Sequence, residues 1–326
     1  MYDVITIGSA TVDFFADTDS ELIKIQTRNT KEEMIAFPLS SKLLIHHLDI
    51  KTGGGGTNSA VSFARLGLKT GFLGKLGSDA NADFVLNDLK AEGVEFLGAR
   101  EGVTGMSVIL NGLEKDRTIL AFKGANNSLT DQDVTQLPPT RWIYLSSMLG
   151  QSFETVCRLI ETSDCQVAFN PSNYQVELGL DKLRGMLNSV DVLMMNKEEA
   201  CKLVGLNYAE DPEISQVFAR LSELPPKIFV VTNGKNGAFV KDGDRILWGK
   251  PSPSCVVSET TGAGDAFAST FIAGLAMGKQ VEEAIRMALC NAESVLKYKG
   301  AKNDLLTRDR LMQKVGEEQR DVVQIA

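Results

Sequence analysis

The chain has 326 residues, 43% of them hydrophobic and 23% charged, with no low-complexity tract; this is ordinary globular composition with ample core material. A net charge of -8 and a pI near 5.0 argue against broad electrostatic binding to nucleic acid or an anionic membrane, because no lysine-rich block offsets the acidic background. No apolar run approaches the ~18 residues of a membrane span and the start MYDVITIGSA lacks a basic leader; five scattered cysteines without a CxxC pair fit free thiols in a reducing, cytoplasmic setting.

Short β-branched runs at Val4 to Ile7, Trp142 to Leu145, Gln166 to Phe169, Val192 to Met195 and Ile228 to Thr232 alternate with amphipathic stretches. That alternation predicts βαβ units around a mostly parallel sheet, an α/β fold. Two regions break the rhythm. Between Asp13 and Gly53, Leu44, His46, Leu48 and Ile50 alternate with Leu43, Ile45, His47 and Asp49, which predicts a strand with one covered face. Met106 to Leu110 and Thr118 to Phe122, joined by turn-rich residues, predict a hairpin. Together these make a small β layer over about 14–50 and 104–122, either a lid over a ligand or an edge extension of the main sheet. From Val281 to Leu296 the apolar residues recur at helical spacing, with Gly300 as a stop.

The stretch ETTGAGDAFASTFIAGLA, Glu259 to Ala276, sets glycines and a carboxylate before an apolar helix expected to begin near Ala266. A helix N-terminus attracts anions, and small residues let the backbone approach a phosphate, so the N–H groups of Ala263, Gly264 and Asp265 can form an anion hole. Asp265 then stands where it can take the proton of an attacking hydroxyl, and the positive helix end should favour its ionised form. The plainer reading is that Asp265 caps the helix. Neither GxxxxGK[ST] nor GxGxxG is present, since Phe267 stands at the last glycine position. A second cluster, Gly53 to Asn58 (GGGGTN), opens another helix and is either a ligand loop or a hinge.

Gly262 to Asp265 with Thr260 and Thr261, the Gly53 loop, Asn196-KEE and Thr232-NGKNG occur in an order and spacing that resembles the PfkB (ribokinase-like) family of carbohydrate and nucleoside kinases, over nearly the whole chain. The resemblance implies a single domain over 1–326: a three-layer sandwich with a mostly parallel central sheet and a small β lid. It implies ATP-dependent phosphoryl transfer to a hydroxyl of a small sugar, with a nucleoside as the alternative acceptor and magnesium as cofactor. Asp265 is then the base, and Gly262, Ala263 and Gly264 the anion hole. Asp13, Thr11, Gly54, Gly55, Asn58 and Asn170 fall at acceptor-binding positions. Asn196, Glu199, Thr232, Gly234, Gly237 and Asn291 fall at nucleotide and magnesium positions, Glu199 acting through water. Glu259 and Thr261 match a monovalent-cation site, for potassium, although Glu259 replaces the usual aspartate.

Other departures bear on the acceptor. Thr11 stands where ribokinases have asparagine, Gly55 where they have lysine, and Ser146-Ser147 where they have a substrate-binding glutamate, while Asn170-Pro171 is ribokinase-like. The segment from Asp13 to Gly53 is longer than in short ribokinases, implying an enlarged lid or an added helix, and lid strands of this family pair between subunits, implying a homodimer. Outside the kinases, a silent sugar- or nucleotide-binding regulator on the same fold is the competing reading. A dinucleotide oxidoreductase lacks its fingerprint after the first strand.

Overall fold

The computed structural model describes residues 1–18, 21–26, 31–111, 117–134, 136–255, 257, 260–298, 300–318 and 320–326. The first third runs β1 (Tyr2–Ile7), β2 (Thr11–Thr18), β3 (Glu21–Gln26), β4 (Lys31–Ala36), β5 (Ile45–Gly53), α1 (Gly55–Arg65), β6 (Thr70–Leu73), β7 (Lys75–Leu76), α2 (Ala80–Ala91), β8 (Glu95–Phe96) and β9 (Ala99–Arg100). The middle runs β10 (Gly105–Asn111), β11 (Arg117–Phe122), β12 (Thr140–Leu145), α3 (Gly150–Glu161), β13 (Gln166–Phe169), α4 (Asn173–Val176), α5 (Leu180–Leu187), β14 (Val192–Asn196), α6 (Lys197–Leu203) and α7 (Ile214–Leu221). The last third is β15 (Ile228–Thr232), β16 (Ala238–Asp242), β17 (Arg245–Gly249), α8 (Ala263–Ala276), α9 (Val281–Val295), α10 (Arg308–Glu317) and β18 (Val322–Gln324).

Strand periodicity of two divides the core into two halves. Ile5, Ile7, Ile143, Leu145, Val167, Phe169, Leu193, Met195, Phe229 and Val231 face one side of the main sheet, where they meet side chains of α3, α5, α6 and α7. Val4, Trp142, Tyr144, Ala168, Val192, Met194 and Val230 face the other, against α1, α8, α9 and α10. The result is helix, sheet, helix, the arrangement a parallel sheet needs because both of its faces must be covered. The sheet order is β18-β17-β16-β15-β14-β13-β12-β1-β6-β8. It is parallel from β15 across to β8, and antiparallel from β15 to β18.

The small β layer is a separate sheet of order β11-β10-β2-β5, not an extension of the main one. Asp13 pairs with Lys51 and with Ser107, and Ser107 pairs with Ala121, which makes one polar row. On the opposite face Phe14 lies between Ile50 and Val108, and Val108 beside Leu120. The strand expected near residue 44 begins at Ile45, and its apolar side is only half covered among the described residues: Leu48, Ile50 and Leu120 remain 49%, 48% and 55% exposed. The described residues between Asp13 and Gly53 contain no helix; the extra length is spent on the two-stranded sheet β3-β4. The sheet also takes in Thr11 to Asp13, just before the expected lid boundary, so those side chains are carried by it.

Candidate active site

α8 starts at Ala263, three residues earlier than periodicity placed it, because Gly262 adopts φ 82° and turns the chain into the helix as its N-cap. A side chain there would be strained by the left-handed backbone and would also meet Ala301, whose Cα lies 2.4 Å from the position of a Cβ. Ala263, Gly264 and Asp265 are therefore the first three helical residues. The Ala263 N–H, expected in the anion hole, donates to the Thr260 carbonyl at 3.4 Å; the Gly264 and Asp265 N–H groups have no intrahelical acceptor, and the first helical bond runs from the Ala266 N–H to the Gly262 carbonyl at 2.8 Å. Nothing lies within 4 Å of where a Gly264 Cβ would be, so the backbone is bare on its cavity side.

Asp265 is not the cap: Gly262 holds that position and no side chain caps the helix. Asn58 Nδ2 on α1 donates to Asp265 Oδ2 at 2.8 Å. Burial pushes the Asp265 carboxyl up to about 6, against the hydrogen bond from Asn58, which favours the charged form. Sequence reading expected the helix end to favour the ionised form; in the fold, burial acts in the opposite direction and the Asn58 hydrogen bond opposes it. Asn58 Oδ1 and Ser146 Oγ are buried beside it with no protein partner, polar atoms that fit a ligand hydroxyl. Gly55 lies between, where a Cβ would stand 3.1 Å from Ser146 Oγ and 3.7 Å from Asp265 Oδ1.

A cavity of about 320 Å³ opens here, lined by Gly55, Ser146, Ser147, Asn170, Asn196, Glu199, Thr232, Gly264, Asp265 and Phe267 among others. It collects residues from the C-terminal ends of parallel strands, the usual place for a ligand in an open α/β sheet. Asn170 is held by Nδ2 donating to the Met194 carbonyl at 2.9 Å. Asn196 and Glu199 form a capping box on α6: the Glu199 N–H donates to Asn196 Oδ1 at 2.8 Å and the Asn196 N–H to Glu199 Oε2 at 3.0 Å. Burial, with Glu198 adding to it, raises the Glu199 carboxyl above its ordinary range. Thr232 lines the cavity, while Gly234 and Gly237 shape the turn just beyond it, at φ 50° and 82°.

On the small sheet Thr11 Oγ1 donates to Asp13 Oδ1 at 2.9 Å. Gly53 leaves the space that Asp13 fills: a Cβ at Gly53 would lie 2.0 Å from Asp13 Oδ2. Burial raises the Asp13 carboxyl, with Ser107, Thr11 and the Lys302 charge opposing the rise. Gly54, at φ 96°, passes so close to Ser9 and Ala10 that a Cβ would be 2.5 Å from the Ser9 carbonyl.

Asn291 is not brought to the site. It is fully buried, donates Nδ2 to Thr270 Oγ1 at 2.7 Å and accepts the Leu306 N–H on Oδ1 at 2.9 Å, so it ties α9 to α8 and to the following loop. Glu259 lies outside the described residues; Thr261 is described and precedes the N-cap.

Sequence reading missed two buried supports. Asn126 brackets Ala10, accepting its N–H at 2.8 Å and donating to its carbonyl at 2.9 Å, and so fixes the junction between β1 and the small sheet. Lys302 sends its ammonium to Thr52 Oγ1 and Asp88 Oδ2, both at 2.8 Å. Its neighbours Gly300 and Ala301 press on the sheet root and on α8: a Gly300 Cβ would lie 2.9 Å from Lys51 Cδ. A lysine directly after the Gly300-Ala301 motif was the one signal available for it.

The chain belongs to the pfkB family of carbohydrate kinases, whose pattern it matches over residues 1–308. It is therefore a phosphotransferase with an alcohol group as acceptor. An uncharacterised sugar kinase of Archaeoglobus fulgidus is 31% identical over 253 residues, covering 75% of this chain and 98% of that protein. Among solved structures, ribokinase from Thermotoga maritima superposes with a TM-score of 0.79 at 21% identity, covering 97% of this chain and 100% of that one. A nucleoside kinase of Methanocaldococcus jannaschii gives 0.77 at 19% identity, covering 98% and 99%; both show a shared fold.

Proposed function

We propose that the enzyme transfers the γ-phosphoryl group of ATP directly to a hydroxyl of a small sugar, with Asp265 as general base. The observation that carries this is the Asp265 carboxylate, buried in a cavity at the start of α8 and held by Asn58. With a carboxyl near 6, Asp265 is ionised at neutral pH yet basic enough to accept the hydroxyl proton as the O–P bond forms, a contribution of ~10²–10⁴ in rate. The N–H groups of Gly264 and its neighbours, with the helix dipole, stabilise negative charge on the moving phosphoryl group. Acceptor and donor share one cleft, so in-line transfer needs no covalent intermediate.

Asp13, steadied by Thr11, together with Gly54, Gly55, Asn58 and Asn170 binds the sugar hydroxyls; Thr232 and the Gly234 to Gly237 turn border the nucleotide. Glu199, with one carboxylate oxygen spent in the capping box and a face on the cavity, fits a magnesium ion that keeps most of its waters. That ion would neutralise phosphate charge. Thr261 is the candidate edge of a monovalent-cation site. The small sheet serves as a lid that excludes water. Its exposed apolar face, Leu48, Ile50 and Leu120, is the surface through which two copies would pair. Five free cysteines fit a cytoplasmic enzyme, and among the described residues no helix is long and apolar enough to cross a membrane.

A nucleoside is the second reading of the acceptor, favoured by the short side chains of Ser146 and Ser147 on the cavity wall. ADP release measured with ATP over pentoses, hexoses, sugar acids and nucleosides tests both. Turnover with sugars supports the first reading, turnover confined to nucleosides replaces it, and no turnover with any acceptor supports a silent binding protein.

A further inference from the structure

Lys123 follows directly on lid strand β11, one residue past Phe122, at the point where the chain leaves the small sheet. Ala121, two residues earlier, pairs with Ser107, which pairs with Asp13; Lys123 itself has helical torsions, φ -77° and ψ -32°, and begins the short turn after the strand. It therefore stands two residues beyond the register row of the acceptor-binding carboxylate. Its ammonium lies 5.1 Å from the ring centroid of Tyr174. Tyr174 sits on α4, directly beyond Asn170, Pro171 and Ser172, which line the catalytic cavity. Ser172 is joined to the cavity wall, its hydroxyl sharing a 2.5 Å hydrogen bond with that of Ser147.

This cation differs from the other buried lysines. Lys75 is paired with Glu101 and Asp133, Lys197 with Asp211, and Lys302 with Asp88. Lys123 is half-buried with an aromatic face for company and no carboxylate among the described residues. Burial alone acts on it, lowering the ammonium below its ordinary range, with no opposing acid. A partly desolvated cation on an aromatic platform is stabilised by an anion that arrives with a ligand.

We propose that Lys123 on its Tyr174 platform forms an anion subsite at the rim of the acceptor cleft, so that the acceptor carries a carboxylate or phosphate remote from the hydroxyl that is phosphorylated. The inference rests on the kinase reading and narrows its substrate class. The cavity is lined by the carboxylates Glu199 and Asp265, so a cation at its rim also fixes which end of an open-chain or ring sugar points outward. A lysine suits this role because its compact charge accepts either anion geometry.

The test compares fructose, gluconate and fructose 6-phosphate as acceptors for ADP release, with calorimetric titration of the same three compounds into the enzyme. The expected result is preference for one of the two anionic compounds. In Lys123→Met the ratio of anionic to neutral kcat/KM, or of the corresponding affinities, should fall about tenfold or more. Lys123→Arg should retain most of that ratio, and gluconate against fructose 6-phosphate separates carboxylate from phosphate. Fructose bound and turned over as well as both anions, with a ratio unmoved in a folded Lys123→Met, overturns the subsite. Absence of ADP release with every acceptor strikes the kinase reading instead. The titrations still decide the subsite in that case: charge-dependent binding lost in Lys123→Met supports it, and equal binding of all three compounds, or none, overturns it.

Discussion

Asn58 on α1 and Asp265 on α8 meet across 207 positions of sequence, the amide Nδ2 donating to the carboxylate at 2.8 Å. One helix thus supplies the proposed base and another holds it, with burial raising the carboxyl and this donor opposing the rise.

Replacing the base separates chemistry from binding. Asp265→Asn should lower kcat by at least ~10²–10⁴ while leaving acceptor affinity within a few-fold. Steady-state kinetics beside calorimetric titration checks it, and near-wild-type turnover would falsify the assignment.

The same substitution should stabilise the fold. A carboxyl raised from 3.8 to about 6 in the native state binds its proton more tightly folded than unfolded, so stability falls as pH rises through that window and the cost is fully present above it. At pH 7.5 Asp265→Asn removes the cost, and the melting temperature should rise by about 2–4 °C. At pH 4 the gain should vanish, which thermal unfolding at the two pH values reads directly.

Activity should follow ionisation of the base. With wild-type enzyme, kcat/KM rises with pH through about 6 and levels off above. Asn58 favours the charged form, so Asn58→Leu moves that limb to higher pH as well as weakening the acceptor. An unmoved limb would mean that Asn58 does not tune Asp265.

Gly53 tests the placement of Asp13. Alanine puts a methyl 2.0 Å from Asp13 Oδ2, the carboxylate must shift, and a misplacement near 1 Å costs about 10²-fold. Gly53→Ala should raise the acceptor KM far more than the nucleotide KM; equal changes in both would place Asp13 elsewhere in the reaction.

The outer face of the lid gives an assembly prediction. Leu48→Glu with Leu120→Glu puts charges on a face that is about half exposed in the single chain, so the monomer should tolerate them while pairing is lost. Sedimentation velocity should show a dimer for wild type and a monomer for the double variant. A wild-type monomer at every concentration removes the dimer.

What sequence could show divides by range. The sheet strands from Val4 to Val231 were legible because burial on both faces makes each a short apolar run. Asp265 and the Gly262 turn were legible because a helix start places its own chemistry within a few residues. Asn291 was misplaced because polar residues inside a helix look alike in sequence, whether they face a ligand or, as here, Thr270 and the Leu306 backbone. The pull of burial on Asp265 was missed because dielectric surroundings are assembled from distant segments. Asn126 clasping Ala10 across 116 positions leaves no local pattern, and Lys302 reaching Thr52 across 250 leaves only its place after Gly300-Ala301.

The short loop from Gly300 to Lys302 acts as a keystone. Ala301 bears on the Gly262 turn beneath the proposed phosphoryl seat, while Gly300 and Lys302 bear on the root of the small sheet, the proposed lid, at Lys51 and Thr52. Neither substrate need touch this loop for both to feel it: loosening it at Lys302 lets the roof and the floor of the reaction chamber settle independently. Variation there can retune the enzyme while every catalytic side chain stays the same.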